Sequence, residues 1–118
     1  MPVSDINTLR NSKLVRRIVQ TQVDSTGDAY VLKARAELVN GWSLHYWEHG
    51  TSKIRRYSFH VLLGRKMVVR WDNAPHHPKV KSFPHHKHAG RAIEVSKDMT
   101  VDLVLAELRA MIEKPSGD

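Results

Sequence analysis

The first two-thirds of the chain alternates between hydrophobic and polar residues with the two-residue period of a β-strand. The alternation is clearest over residues 30–38, where the charged side chains lie on one face and most of the apolar ones on the other. Clusters of turn-forming residues separate such segments, and Asn40 followed by Gly41 is a strong signal for a two-residue hairpin turn. The pattern predicts strands over five segments, residues 14–23, 30–38, 42–48, 54–63 and 67–71.

The last third of the chain has a different pattern. Residues 72–90 have no long periodic run and contain three of the five Pro and five of the eight His, so they predict an irregular but ordered loop. Phe83 is expected to anchor this loop in the core. A short strand is predicted at Ala92–Val95. Thr100 is a suitable N-cap for a helix over Val101–Glu113, whose apolar residues recur at helical spacing, and Pro115 is expected to stop it.

These elements predict a single α+β domain, because 118 residues provide one modest hydrophobic core. The architecture expected is an antiparallel sheet of about four to five strands with a C-terminal helix packed on one face. The ordered core is expected to span about residues 10–113, with frayed ends at residues 1–8 and 114–118.

The composition excludes several classes of protein. The chain has no Cys, which excludes disulfide scaffolds, thiolate zinc sites and Cys nucleophiles. No apolar stretch approaches the roughly 20 residues of a membrane-spanning helix, and residues 1–13 lack the apolar core of a secretory signal. Lys and Arg number 19 against 12 Asp and Glu, a net charge of +7 with His neutral. We therefore expect a cytoplasmic protein with an anionic partner and no membrane partner.

The positive charge and the imidazoles concentrate between residues 70 and 91. This segment contains five basic residues, five His and a single acidic residue, Asp72. Cleavage of RNA needs a base for the ribose 2′-hydroxyl, an acid for the leaving 5′-oxygen and a cation for the phosphorane. His suits both proton roles near neutral pH, and Lys or Arg suits the third. The sequence therefore predicts a ribonuclease that needs no metal or other cofactor.

The predicted roles divide these residues into four groups. The acid–base set comprises four imidazoles, His77, His85, His86 and His88. The scissile phosphate is expected to contact two cations, Arg70 and Lys87. Further cations predicted to bind the RNA are Lys79, Lys81 and Arg91. The supporting residues are Asp72, which orients a His ring or positions Arg70, Asn73, which shapes the loop, and the additional candidates His76, Tyr57 and Glu48.

Two alternatives remain open from the residues alone. The four imidazoles, His77, His85, His86 and His88, are also ligands for a divalent metal such as zinc, and the His-x-His spacing on a strand places both rings on one face. Carboxylates are scarce nearby, however. The second alternative is a module that binds RNA or the ribosome and inhibits without cleaving. A phosphoryl or nucleotidyl transferase is disfavoured, because the six Gly are scattered and form no phosphate loop.

Two His-rich runs in this region resemble the TumE family of toxins, which come from toxin–antitoxin pairs of bacteria and archaea. The runs are RWDNAPHH at residues 70–77 and FPHHKH at residues 83–88. Weaker similarity lies at residues 40–44 with Glu48 and at residues 57–60, so the resemblance covers about residues 14–112. Trp71 stands where Tyr is common in the family.

The resemblance implies a growth-inhibiting toxin that acts on RNA and is held silent by an antitoxin. In this family the antitoxin commonly carries a helix-turn-helix DNA-binding domain, and a homodimer of the toxin is compatible with the sequence. The family's motif positions fall on seven residues of this chain, Arg70, Asp72, Asn73, His85, His86, Lys87 and His88. The resemblance implies no particular catalytic role for any of them.

Overall fold

The computed structural model describes residues 2–114, with side chains from residue 4 onward. Met1 and residues 115–118, including the predicted helix stop at Pro115, lie outside the described residues. Two helices and seven strands follow one another along the chain as α1 (Pro2–Asn11), β1 (Val15–Thr26), β2 (Ala29–Leu38), β3 (Ser43–Gly50), β4 (Arg55–Leu63), β5 (Lys66–Asp72), β6 (His86–Ala89), β7 (Ala92–Val95) and α2 (Val101–Glu113).

The strands form one antiparallel sheet in which each strand pairs with the next in sequence order. Gly41 closes the β2–β3 hairpin with a φ of 93°, a conformation that favours glycine. The predicted α+β class, antiparallel sheet and C-terminal helix are confirmed. The predicted number of about four to five strands is wrong, because the sheet has seven: the short strand β7 joins the five long ones, and β6 lies inside the segment predicted to be a loop. Its four residues, His-Lys-His-Ala, have no apolar alternation, and backbone pairing with β5 and β7 defines the strand instead.

The hydrophobic core lies between one face of the sheet and the two helices. Alternate residues of β2–β5 are buried on this face, and Tyr46 and Phe59 stack there with ring centroids 4.2 Å apart. Helix α2 buries Val101, Val104 and Leu108. The opposite face of the sheet is covered by neither helix, and we call it the open face.

The structure confirms α2 and adds α1, which the sequence pattern does not predict. Thr100 caps α2 by accepting a hydrogen bond from the Leu103 amide at 3.3 Å. Helix α1 lies mostly in the segment predicted to fray, yet Ile6 and Leu9 are buried in the core. Because most residues of α1 are polar, the sequence pattern does not indicate that Ile6 and Leu9 belong to the core. The expectation that Phe83 anchors the loop in the core is wrong, because its side chain is exposed.

Within residues 2–114, neither helix has the length and the apolar composition required to cross a membrane.

Candidate active site

Strands β5 and β6 bring part of the His-rich segment together on the open face. Asp72 pairs with His86, and Arg70 pairs with His88, in the antiparallel register of these strands. Directly paired residues project to the same side of a sheet, and so do residues two apart along a strand. The four side chains therefore converge, although β6 was predicted to be part of a loop.

Asp72 lies at the centre of this group and is only 2% exposed. Its Oδ1 lies 3.0 Å from Nε2 of His86, and its Oδ2 lies 2.9 Å from Nε of Arg70 and 3.5 Å from Nε2 of His88. The Arg70 N–H is not directed at the oxygen, so this contact is an ion pair without a well-aligned hydrogen bond. Asp72 also accepts a hydrogen bond from the Ala74 amide at 3.0 Å, which forms a turn after β5.

The buried ring of His86 has a defined orientation. Its Nδ1 lies 2.9 Å from the carbonyl oxygen of Pro84, and since a carbonyl only accepts, Nδ1 carries a proton. Its Nε2 lies 3.0 Å from both Asp72 Oδ1 and His88 Nε2. Lone pairs on these atoms would repel one another at such distances. At least one proton or a cation must therefore lie among the three side chains.

His77 completes the group from the loop that precedes β6. Its half-buried ring lies edge-on to His86 and His88, with centroid distances of 4.8 and 5.6 Å. One nitrogen from each of the three rings lies within 4.8 Å of the others. We call Asp72, His77, His86 and His88 the open-face cluster. Within residues 4–114, the nitrogens of the three His are spaced closely enough to hold a metal ion.

His88 differs from His86 in its access to solvent, since its side chain is 24% exposed and that of His86 2%. Burial, His86, Arg70 and His77 lower the pKa of His88, and the negative charge of Asp72 opposes them. The ring of His88 is therefore predominantly neutral at neutral pH. Its Nε2 faces the cluster, and its Nδ1 makes no hydrogen bond within the described side chains.

His85 does not join the cluster, although it precedes His86 directly. Its Nδ1 lies 2.8 Å from the hydroxyl of Tyr57, whose ring stacks on it. That hydroxyl also accepts a hydrogen bond from the Met99 amide at 3.2 Å. Burial, as the largest cause, raises the pKa of Tyr57 to about 12, so the hydroxyl keeps its proton. Asp98 lies 3.9 Å from the His85 ring.

Glu48 is connected to His85 through Arg55 and Asp98. It accepts hydrogen bonds from Tyr30 and Tyr46 at 2.5 and 2.6 Å and pairs with Arg55 at 3.0 Å. Burial alone would raise the pKa of Glu48, but these three donors hold it below its usual value. Arg55 extends the contacts by pairing with Asp98 at 2.7 Å and covering the ring of Tyr57 at 4.3 Å. We call this set the helix-side network, which comprises Glu48, Arg55, Tyr57, His85 and Asp98.

Asn73 and Lys87 have structural contacts away from the cluster. The Asn73 side chain accepts from the Tyr57 amide at 3.0 Å and donates to the Arg55 carbonyl at 2.8 Å, so it attaches the loop to β4. Lys87 points to the helix side of the sheet, where its Nζ lies 5.6 Å from the Trp71 ring and 3.9 Å from Glu107. Alternation along β6 explains this direction, because Lys87 lies between His86 and His88.

The remaining predicted residues are exposed and lie outside the cluster, namely His76, Lys79, Lys81 and Arg91. Two His in earlier strands were not predicted as site residues, yet they are aligned with the open-face cluster across the sheet. His60 pairs with Arg70, and His45 pairs with His60. The strand pattern indicates which face they share, but only the register between strands connects them to the cluster.

A comparison with protein-family models finds a match to the chain. The matching model is described as Toxin TumE, and the match covers residues 5–115. It therefore includes the whole open-face cluster and the whole helix-side network. The comparisons with curated proteins and with solved structures gave no match.

Proposed function

Because this chain belongs to the TumE toxin family, we propose that it is a toxin that cleaves RNA at the open-face cluster without a metal ion. One observation carries the proposal: three imidazoles, a buried carboxylate and a guanidinium converge on the open face. These are the groups that proton transfer and phosphate binding require. A ribonuclease toxin meets its substrate in the cytoplasm.

The reaction is an attack of the ribose 2′-oxygen on the adjacent phosphorus. The 2′-O–P bond forms, the P–O5′ bond breaks, and the products are a 2′,3′-cyclic phosphate and a 5′-hydroxyl. One proton leaves the 2′-hydroxyl and one joins the 5′-oxygen, so a base and an acid both take part. Each contributes about 10²–10⁴-fold in rate.

His88 is the general base, because its ring is predominantly neutral and its Nδ1 is free of hydrogen bonds within the described side chains. His77, the other accessible ring of the cluster, is the general acid. Arg70 binds the phosphate, since its side chain is 39% exposed. Asp72 and His86 are buried, and they position His88 and Arg70 without contacting the substrate. This assignment omits His85 and Lys87 from the set expected from the sequence.

The test uses purified toxin, an end-labelled RNA and excess chelator. We expect cleavage to persist in the chelator and to leave 2′,3′-cyclic phosphate ends. The Arg70→Ala variant should cleave at least about 100-fold more slowly, because a donor to the transition-state phosphate is lost. Intact RNA under all conditions would contradict the proposal and favour an inhibitor that only binds.

A divalent-cation nuclease is the second candidate, and the spacing of the three His nitrogens favours it. A cation would also relieve the close approach of His86, His88 and Asp72. This candidate predicts that cleavage stops in chelator and returns with added zinc. The three His would hold the cation, which would supply an activated water as the nucleophile in place of the 2′-oxygen, so the products should then carry no cyclic phosphate.

A toxin of this family implies a cognate antitoxin, and we propose that an acidic segment of it covers the cationic site. The antitoxin would also carry a helix-turn-helix domain for DNA. Mixing the toxin with the product of the neighbouring gene should give a complex that weakens as salt rises. Failure to form any complex would count against this partner.

A further inference from the structure

A row of basic side chains and imidazoles crosses the open face from β2 to the cluster. The register pairs each member with the next, so all five share one face. The row spans four strand spacings, about 19 Å between its ends. We call it the basic row, and its members are Arg35, His45, His60, Arg70 and His88.

The far end of the basic row carries positive charge that forms no ion pair with the described carboxylates. Arg35 and its neighbour Lys33 form no ion pair within residues 4–114, whereas Glu37 on the same strand is paired with Arg17 at 2.7 Å. Burial and then Arg35 lower the pKa of His45. An anion bound here would offset the positive charge of Lys33 and Arg35.

An aromatic platform lies beside these cations. Trp47 is 37% exposed, and the ring of His49 lies parallel to it at 5.2 Å. Trp47 is the cross-strand partner of Lys33. Lys33, Arg35, His45 and Trp47 are among the residues that line a depression of about 250 Å³. A flat ring with cations beside it has the composition of a site that stacks a base and binds its phosphate.

We propose that this part of the open face binds the single-stranded RNA substrate, with a base on Trp47 and phosphates on Lys33 and Arg35, and directs the strand along the basic row to the open-face cluster. The inference rests on the proposed function and identifies where its substrate binds. Unpaired RNA is the form required, because only an unstacked base can lie on an aromatic side chain.

An acidic peptide fits this surface less well. Strands β2, β3 and β4 are internal, so their backbone groups are already paired and cannot accept an added strand. Lys33, Arg35 and Trp47 stand on separate positions of an open surface. Two cations beside one exposed aromatic ring instead match the phosphates and the base of a nucleic acid strand.

The test measures binding of a fluorescein-labelled, mixed-sequence 2′-O-methyl oligoribonucleotide of about 12 nucleotides. Its blocked 2′-oxygen prevents the proposed cleavage. The double variant Lys33→Ala/Arg35→Ala should raise the Kd about tenfold and reduce the slope of log K against log salt by up to about 1.4. Trp47→Ala should raise the Kd about 5- to 150-fold with the salt slope unchanged, because stacking involves no ion release.

The matched control is Lys13→Ala/Lys97→Ala, which removes the same charge from exposed sites outside the open face. The inference is overturned if the Lys33/Arg35 variant binds the probe as tightly as this control. It is also overturned if that variant loses only the antitoxin complex. Failure of the proposed function gives a different result, since wild type would then bind the probe on this face and leave natural RNA intact.

Discussion

The open-face cluster and the helix-side network contain the same kinds of residue, and adjacent residues of the chain contribute to both. His85 contacts Tyr57 and Asp98 in the network, whereas His86 contacts Asp72 and His88 in the cluster. The difference lies in how the polar atoms are satisfied. Three donors satisfy the carboxylate of Glu48, so the side chains of the helix-side network are held in one arrangement. The cluster instead holds imidazoles whose nitrogens crowd one another beside an accessible surface.

Imidazole content alone therefore does not identify a site of chemistry. A His held by a tyrosine hydroxyl stabilises the fold, whereas a group that must transfer protons needs a free nitrogen and a route to substrate. The two regions should therefore respond differently to substitution.

The His76 and His77 pair gives the largest contrast. His77→Ala should slow RNA cleavage by about 10²–10⁴-fold, because it removes a proton-transfer group. His76→Ala should stay close to wild type, since this neighbouring side chain is exposed and outside the cluster. Rates on a labelled RNA measure both, and circular dichroism checks that both variants fold. Equal rates for the two variants would remove His77 from the site.

Asp72→Asn should weaken both activity and stability. The amide keeps an oxygen for the Ala74 turn but loses the charge that faces Arg70 and His86. We expect a stability loss of about 1.5–3 kcal/mol in urea denaturation and a fall in kcat with KM little changed. If the variant loses stability but keeps its cleavage rate, Asp72 has a structural role like that of the helix-side network.

Glu48→Gln should lose stability while cleavage at saturating RNA is retained. Because the pKa of Glu48 lies below its ordinary value near 4.5, its contribution is present above that value and is lost as the pH falls through the folded pKa. Wild type should therefore exceed the variant by about 1.5–3 kcal/mol at pH 7, and the gap should narrow in acid. Urea denaturation across this pH range measures the gap, and a gap that widens in acid would contradict the assignment.

Tyr57→Phe should have the smallest effect. It removes the hydroxyl that contacts His85 and accepts from the Met99 amide, at a cost of about 1–3 kcal/mol for the buried amide left without a partner. Cleavage should be unchanged within experimental scatter. Thermal unfolding and the cleavage rate together measure this, and a large rate loss in a stable variant would assign the network a chemical role.

The sequence predicts the fold best where side-chain periodicity and burial coincide. Strand β2 alternates along its length, and α2 combines a Thr100 cap with an apolar stripe, so both are predicted nearly to the residue. Strand β6 has no such pattern, because its pairing depends on the backbone of β5. Helix α1 depends on two buried side chains, Ile6 and Leu9, that its polar sequence does not distinguish.

The candidate site is predictable in residue type and only partly in geometry. His-x-His spacing predicts that His86 and His88 share a face if they lie on a strand, and the structure supplies that strand. The same alternation turns Lys87 to the other face. The positions of His77 and His85 depend on the path of an irregular loop, which no periodicity encodes.

A side-by-side cleavage assay of His85→Ala and His88→Ala distinguishes a reaction at the open-face cluster from one at the helix-side network. Both variants remove one half-buried imidazole from the same four-residue stretch, so their losses of side-chain volume are matched. With labelled RNA in chelator, His88→Ala should be at least about 100-fold slower than wild type, while His85→Ala stays within about threefold of it. Loss of cleavage in His85→Ala with normal cleavage in His88→Ala would contradict a reaction at the open-face cluster and place the chemistry in the helix-side network.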